Sequence, residues 1–381
     1  MAQKTVKNRT APSYRRIVVK LGTRLLTGGK GDIDQEVVSR LVNQIARLHR
    51  QGVGITVVSS GAVALGRGKL GVTRRIRGIP FKQVMAAVGQ NRLMAMYERL
   101  FKRHDMVVAQ ALLSRLDLCD RAGYLNARNT LMALLDLKVV CIVNENDTVA
   151  VDELQDTKFG DNDTLSAMVA NLVDADLLVM LTDTDGLYTD DPRRCGDACL
   201  IPVVEKIDRS IEKLAAGSHD GPGTGGMITK VEAARMATSC GIRVVVANGN
   251  KPDIILKLAK GSDDGTHFLP AEAELGSRQR WMLSGLSTRG RLIVDEGAAA
   301  ALKKQHRSLL AAGIREVQGK VRRGDIVNIF DAAGNLLGCG LVNYSADDIT
   351  AIKGVHSGKI AGLLGYDYGS EVVHRNNLVV L

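Results

Sequence analysis

From Arg16 onward the chain alternates short apolar runs with longer stretches whose apolar residues recur at helical spacing. "RIVVKLG" (16–22) has the β-branched, uninterrupted character of a strand buried on both faces. Behind it Val37, Val38, Leu41, Val42, Ile45 and Leu48 share one face of a helix, with Asp34 placed as N-cap and Gly52 as the stop. The alternation continues through the strand "GITVVSSG" (54–61), a helix over 81–101, the strand "MVVAQALL" (106–113), a helix over 121–137 and the strand "KVVCIVNEND" (138–147). Then come the helix "DTLSAMVANLVDA" (163–175), the strand "LLVMLTDTDG" (177–186), a helix opening at "TGGMITK" (224–230), and the strand "RVVVANG" (243–249). Apolar strands joined by helices require a parallel sheet covered on both sides, which predicts an α/β fold: a three-layer α/β/α sandwich with a mostly parallel central sheet.

After about Gly261 the pattern changes. Residues 262–288 lose the alternation and read as a connection. Beyond them "GRLIVDEGAAAALKK", "IREVQGKVRRGDIVNIFDAAGNLLGCGLVNY" and "EVVHRNNLVVL" give short strands with Gly- and Asn-containing turns around one short helical stretch, a small mostly-β domain. The expected division is a basic tail (1–14), a large α/β domain (15–265), a linker (266–287) and a β domain (288–381). The helical methionines Met85, Met94 and Met96 are expected in the core.

The residues after each strand are polar and small: Lys20-Leu21-Gly22-Thr23, Ser59-Ser60-Gly61, Asn144-Glu145-Asn146-Asp147, Thr182-Asp183-Thr184-Asp185-Gly186 and Asn248-Gly249-Asn250. Open parallel sheets bind ligands in the crevice beyond their carboxyl ends. Turn chemistry explains the glycines and some of the rest. It does not explain Lys20, a charge at the end of an apolar strand, where an unpaired ammonium would be costly.

Composition and charge narrow the function. Hydrophobic residues at 45% and charged residues at 24% fit a globular protein, and 3% aromatics argue against base-stacking platforms. The net charge of +10 invites a nucleic-acid reading. Residues 1–20, however, hold six Lys/Arg and no acid, and residues 284–381 carry twelve Lys/Arg against nine Asp/Glu, so the large middle is nearly neutral. No apolar run is long enough to span a membrane and the first residues lack a signal-peptide core, which leads to the expectation of a cytoplasmic protein. Six scattered cysteines do not form a disulfide framework, and Cys195 and Cys199 lack a second pair at zinc spacing, so no metal-ligand set is assigned.

Two stretches carry chemistry. "TGGMITK" (224–230) sets bare glycines at a helix start, where backbone N–H groups and the helix dipole favour an anion; Thr224 and Thr229 can donate hydroxyls and Lys230 a full charge. It does not match GxxxxGK[ST]. "GRGKLG" (66–71) matches GxGxxG but ends a helix rather than opening one, so it is not read as a dinucleotide site. The second stretch, "NENDTVAVDELQDTKFGDNDTLS" (144–166), holds more carboxylates and amides than capping needs beside the anion seat. Binding an ammonium group, orienting lysines and holding Mg²⁺ are the alternatives it leaves open.

Taken in order, "VVKLGT", "SSGAVALGRGKLG", "AAVGQNRL", "YLNARNTLMALLD", "VNENDTVA", "FGDNDTLSA", "LTDTDGLYTDDPRR" and "GTGGMITKVEAA" resemble the glutamate 5-kinases. The tail, "GDIVNIFDAAGNLLGCGLVNYSADD" through "LLGYDYG", resembles a PUA domain. The resemblance implies an amino-acid-kinase fold and transfer of the γ-phosphoryl group of ATP, with Mg²⁺, to the side-chain carboxylate of L-glutamate, the first step of proline biosynthesis. It also implies inhibition by proline and a homo-oligomer. Carried over by motif, Lys20, Thr182, Asp183, Thr224, Gly225, Gly226, Met227, Ile228, Thr229 and Lys230 would contact ATP. Ser60, Asp147 and Asn162 would hold glutamate, Asp161 would orient the two lysines, and Lys20, Lys230 and Asp161 would form the catalytic set. Kinases of aspartate, N-acetylglutamate, carbamate or nucleotides would share the ATP half. The rival from another class is an RNA-binding protein acting through the C-terminal domain, whose basic residues include Lys320, Arg322 and Arg323.

Overall fold

The computed structural model describes residues 13–29, 32–72, 78–114, 117–118, 121–149, 162–192, 195–217, 226–270, 288–305 and 307–381. The chain divides into two compact units, Met1–Ala273 and Glu274–Leu381.

The first unit is built on an eight-stranded sheet in the order β3-β4-β2-β1-β5-β7-β8-β6. Its strands are β1 (Arg16–Leu21), β2 (Gly54–Ser59), β3 (Val108–Leu113), β4 (Val140–Glu145), β5 (Leu177–Thr182), β6 (Val203–Val204), β7 (Arg243–Asn248) and β8 (Thr266–Phe268). All neighbours are parallel except β7 and β8. The chain runs outward from β1 to β2 and on to the edge strand β3, returns to β4 between β2 and β3, then crosses β1 to β5, so the order reverses beside the central strand. That reversal opens a crevice at the carboxyl ends of β1, β2 and β5.

Helices cover both faces. The first, α1 (Thr23–Thr27), follows β1; α2 (Gln35–Arg50) starts where Asp34 accepts from the backbone N–H groups of Glu36 and Val37, a cap worth about 1 kcal/mol. Gly52 follows the helix with φ 85°, a turn only glycine takes without strain. Next come α3 (Ala62–Leu70), α4 (Ile79–Lys102), α5 (Arg121–Asp136), α6 (Asn162–Leu172), α7 (Arg209–Gly217), α8 (Met227–Ser239) and α9 (Ile254–Ala259). One layer packs α2, α4 and α9 against Ile17, Val19 and Leu21 of β1 in a single buried cluster. Side chains alternate along a strand, so Val18 and Lys20 face the other layer, where α6 lies against β1, β2 and β5. Met85 and Met96 are buried, and Met94 packs on the same core.

The glycines of "GRGKLG" do structural service. Gly66 lies inside α3, where a Cβ would come 1.8 Å from the Met85 carbonyl oxygen, and Gly89 of α4 would meet the Ala62 carbonyl at 1.7 Å. Two helix backbones touch there, which only glycine permits.

The first sheet does not end at 265. β8, Thr266–Phe268, is buried at every position and pairs with β7, inside the stretch read as a linker. Three residues are too few to display a period, and the hydroxyl of Thr266 is occupied structurally, accepting from Leu187 N and donating to the Ile201 carbonyl.

The second unit holds a six-stranded sheet in the order β10-β14-β13-β12-β9-β11. These strands are β9 (Thr288–Val294), β10 (Leu309–Leu310), β11 (Ile314–Gly319), β12 (Ile326–Phe330), β13 (Leu336–Val342) and β14 (Glu371–Val380). Against the one helical stretch expected, the described residues hold three α-helices, α10 (Glu296–Gln305), α11 (Ala346–Ile352) and α12 (Ile360–Leu364). Their apolar residues Leu302, Ile349, Ile352 and Ile360 complete a core with Val327, Ile329 and Tyr344. The last two are too short for a helical period to stand out from the sequence.

Candidate functional site

Lys20 sits one residue before the end of β1 and is 4% exposed. An ammonium buried among Val18, Val58 and Met180 would cost several kcal/mol without a counter-charge. The counter-charge is Asp163, in the first turn of α6 and fully buried: its Oδ1 lies 2.6 Å from Lys20 Nζ. Its other oxygen, Oδ2, lies 3.1 Å from the Nζ of Lys230 in the first turn of α8. The hydroxyl of Thr229 donates to the same Oδ2 at 2.8 Å, and the Gly226 carbonyl stands 2.8 Å from that hydroxyl and 3.5 Å from Lys230 Nζ. One carboxylate therefore gathers two ammonium groups from distant parts of the chain. Burial alone would raise its pKa; the charges of Lys20 and Lys230 and the hydrogen bonds from Lys20 and Thr229 outweigh that and hold the carboxyl well below the usual range.

Asp161, the expected orienting residue, lies outside the described residues; among those described, the carboxylate between the two ammonium groups is Asp163. A signal for it existed. Asp163 is followed by Ala167 and Ala170, and Lys230 by Ala234 and Ala237, so each charge heads a small-residue stripe at i, i+4 and i+7 of its helix. The four alanines are buried and α6 packs on α8, so both charges had to be buried at the same end of the contact.

The glycine-rich seat is described from Gly226 onward; Thr224 and Gly225 lie outside the described residues. Gly226 caps α8 in an extended conformation with no side-chain cap hydrogen bond, and the first-turn N–H groups of a helix have no partner within the helix itself. Met227 and Ile228 are half-buried behind it. At the end of β5 the half-buried Thr182 donates to exposed Asp183 at 3.0 Å. Gly22 donates to the Leu181 carbonyl at 3.2 Å, and a Cβ on it would stand 3.7 Å from Lys20 Nζ.

On the other side of Asp163 lies an amide cluster. Asn162 Nδ2 donates to Ser60 Oγ (3.0 Å), to the Ser59 carbonyl (3.2 Å) and to Asn144 Oδ1 (3.2 Å). Asn144 Nδ2 donates in turn to Gln90 Oε1 at 2.8 Å. Ser59 Oγ shares a 2.8 Å hydrogen bond with the hydroxyl of Tyr97, whose pKa burial pushes up to about 12. Asp147 is half-buried in the turn after β4. Ser60, Asn162 and Asp147 are the residues expected to hold glutamate; Gln90 and Tyr97 carry no such signal and look like ordinary positions of a helix. At the far end of α6, Arg128 donates to the Leu172 carbonyl and pairs with Asp174, while Arg16 donates to the Val173 carbonyl. Among the described residues no cluster of three or more His, Cys, Asp or Glu could hold a metal, and no helix is long and apolar enough to cross a membrane.

The arrangement sets two cations and a helix N-terminus together, a chemistry suited to an anion, and flanks them with amides and hydroxyls. Comparison with known proteins gives it a family. Residues 15–248 match the model of the amino acid kinase family and residues 290–364 that of the PUA domain. The chain is 56% identical to a glutamate 5-kinase of Dehalococcoides mccartyi over 368 residues, covering 97% of this chain and 99% of that protein. It is 48% identical to a glutamate 5-kinase of Photobacterium profundum, covering 98% of each, and 46% identical to one of Pelobacter propionicus, covering 96% and 98%. Among solved structures, a UMP kinase from Bacillus anthracis aligns with a TM-score of 0.47 at 15% identity, covering 68% of this chain and 97% of that one. With near-complete coverage at such identity, the chain belongs to the amino acid kinase family and, within it, to the glutamate 5-kinases carrying a C-terminal PUA domain.

Proposed function

We propose that the site transfers the γ-phosphoryl group of ATP to the side-chain carboxylate of L-glutamate, giving γ-glutamyl phosphate and ADP. The observation that carries the reading is the pair of buried lysines gathered on Asp163 at the carboxyl ends of the strands. A glutamate carboxylate, with a pKa of about 4.3, is already ionised at neutral pH and needs no general base. Its oxygen forms a bond to the γ-phosphorus while the bond from that phosphorus to the β,γ-bridging oxygen breaks, and the electron pair leaves with ADP. No proton has to move. What the reaction needs is alignment and neutralisation of charge on the transferring group. Lys20 and Lys230 serve that end, with Asp163 setting their separation, and the N-terminus of α8, Thr182, Asp183 and the 224–230 segment hold the nucleotide. Ser60, Asn162 and Asp147 hold glutamate, the Asp147 carboxylate being the partner suited to its ammonium group.

The residues fit a magnesium ion as a companion of the nucleotide rather than in a protein cage. Asp163 is committed to two ammonium groups, and the ligands the ion prefers, phosphate oxygens and water, come with ATP. Bound there it would neutralise phosphate charge. Proline, as an α-amino acid, is read as an inhibitor competing for the glutamate groups, and a cytoplasmic homo-oligomer as the working form. A coupled assay of ATP turnover, trapping the acyl phosphate as hydroxamate, tests the reading with glutamate, aspartate, N-acetylglutamate and UMP. Hydroxamate from glutamate alone is expected; hydroxamate from another acceptor, or from none, overturns it.

A second reading attaches to the PUA domain, where Arg323 stacks 3.7 Å over the ring of Tyr368 beside exposed Tyr366, a surface that could meet RNA. Filter binding of the full chain over a salt series tests it: RNA contact gives a steep salt slope, a purely structural module none.

A further inference from the structure

The amides beside Asp163 form a row with a fixed direction. The Ser59 carbonyl can only accept, so the atom of Asn162 facing it at 3.2 Å is the nitrogen. That nitrogen also meets Asn144, which therefore presents its oxygen, at 3.2 Å. Asn144 then has its nitrogen left for Gln90, which answers with Oε1 at 2.8 Å. One backbone carbonyl thus sets the orientation of three side-chain amides in series. The row leaves Asn162 Oδ1 buried and without a hydrogen-bond partner among the described residues, an acceptor suited to an ammonium or hydroxyl donor of a ligand.

We propose that Gln90 is a positioning residue for the amino-acid substrate, holding Asn144 so that Asn162 keeps its nitrogen on Ser60 and its oxygen for the ligand. Asn144 is 2% exposed, so its N–H groups have no recourse to water if Gln90 Oε1 is removed. A buried donor without an acceptor rotates to find one, and rotating the Asn144 amide sets nitrogen against nitrogen at Asn162. Asn162 then loses its hold on Ser60. The helix behind the row acts at two points: Gln90 and Tyr97 of α4 are seven residues apart, hence on one face, and Tyr97 grips Ser59 as Gln90 grips Asn144. Lys20, Lys230 and Thr229 bond to the neighbouring residue, Asp163.

The inference rests on the reading of this site as a glutamate kinase site and is tested by hydroxamate kinetics on the full chain, with glutamate and ATP each varied. Gln90→Met keeps the length of the side chain and removes the acceptor; Gln90→Glu keeps an acceptor for Asn144. Gln90→Met is expected to raise KM for glutamate about tenfold while KM for ATP stays within about twofold, and Gln90→Glu to restore KM for glutamate to within about threefold of wild type. An unchanged KM for glutamate in Gln90→Met, an equal rise in both KM values, or a Gln90→Glu variant no better than Gln90→Met overturns the inference while the kinase reading stands. A wild-type chain that forms no hydroxamate from glutamate overturns both.

Discussion

Asp163→Asn is the substitution that most directly probes the centre. Asparagine has the same shape but no charge, so two ammonium groups that are 5% and 8% exposed lose their shared counter-ion, and the amide nitrogen now faces one of them. Breaking a buried pair by neutralising one partner costs about 3–5 kcal/mol. In a unit of this size about 1 kcal/mol moves the unfolding midpoint by roughly 2–4 °C, so a fall of about 6–20 °C is expected. Turnover should fall by at least about 100-fold, because the lysines no longer share one anchor when charge develops on the transferring phosphoryl group. A non-hydrolysable ATP analogue supplies negative charge where the carboxylate was lost, so it should raise the midpoint of the variant more than that of the wild type. Thermal unfolding by circular dichroism, with and without the analogue, and the hydroxamate assay measure both effects. An Asp163→Asn protein with wild-type midpoint and turnover, alongside an Asp161→Asn protein that loses both, would refute the assignment of Asp163 as the anchor.

Three other outcomes follow from the same geometry. Lys230→Ala should lower turnover at least about tenfold, with a smaller midpoint loss than Asp163→Asn because Lys20 still neutralises the carboxylate at 2.6 Å. Gly66→Ala drives a Cβ into the Met85 carbonyl and should cost about 3 kcal/mol or more, read as a lower urea midpoint; unchanged stability with weakened nucleotide binding would instead make that loop a ligand site. The pH dependence has a defined sign. The Asp163 carboxyl is held below its unfolded value of about 3.9, so its contribution is complete above that value and is lost as the pH falls below it toward the lower folded pKa. Below about pH 4 the urea midpoint of the wild type should therefore fall more steeply than that of Asp163→Asn, which lacks this titration.

Much of this was legible in the residues themselves. The Asp34 cap, the Gly52 stop and the period of α2 are local signals, and Lys20 stood out because a charge inside "RIVVKLG" has no local excuse. What escaped depended on partners distant in sequence. "GDNDT" offers two aspartates around one asparagine, and nothing inside that stretch says which faces a lysine some seventy positions later; only the alanine stripes of α6 and α8 do. β8 was hidden because its three residues are stabilised by what they pair with rather than by any pattern of their own. Gln90 was invisible for the same reason, since an amide on a helix acquires meaning only from the amide opposite.

Asn162 and Asp163 are consecutive residues at the start of α6, and Arg128 and Arg16 hold the other end of that helix. Neighbouring positions on a helix are rotated about 100° apart with Cα atoms about 3.8 Å from each other. A single peptide unit therefore works as a ruler between the lysine pair on Asp163 and the amide cluster on Asn162. Inserting one residue between them would swing one cluster out of alignment with the other while leaving each chemically whole.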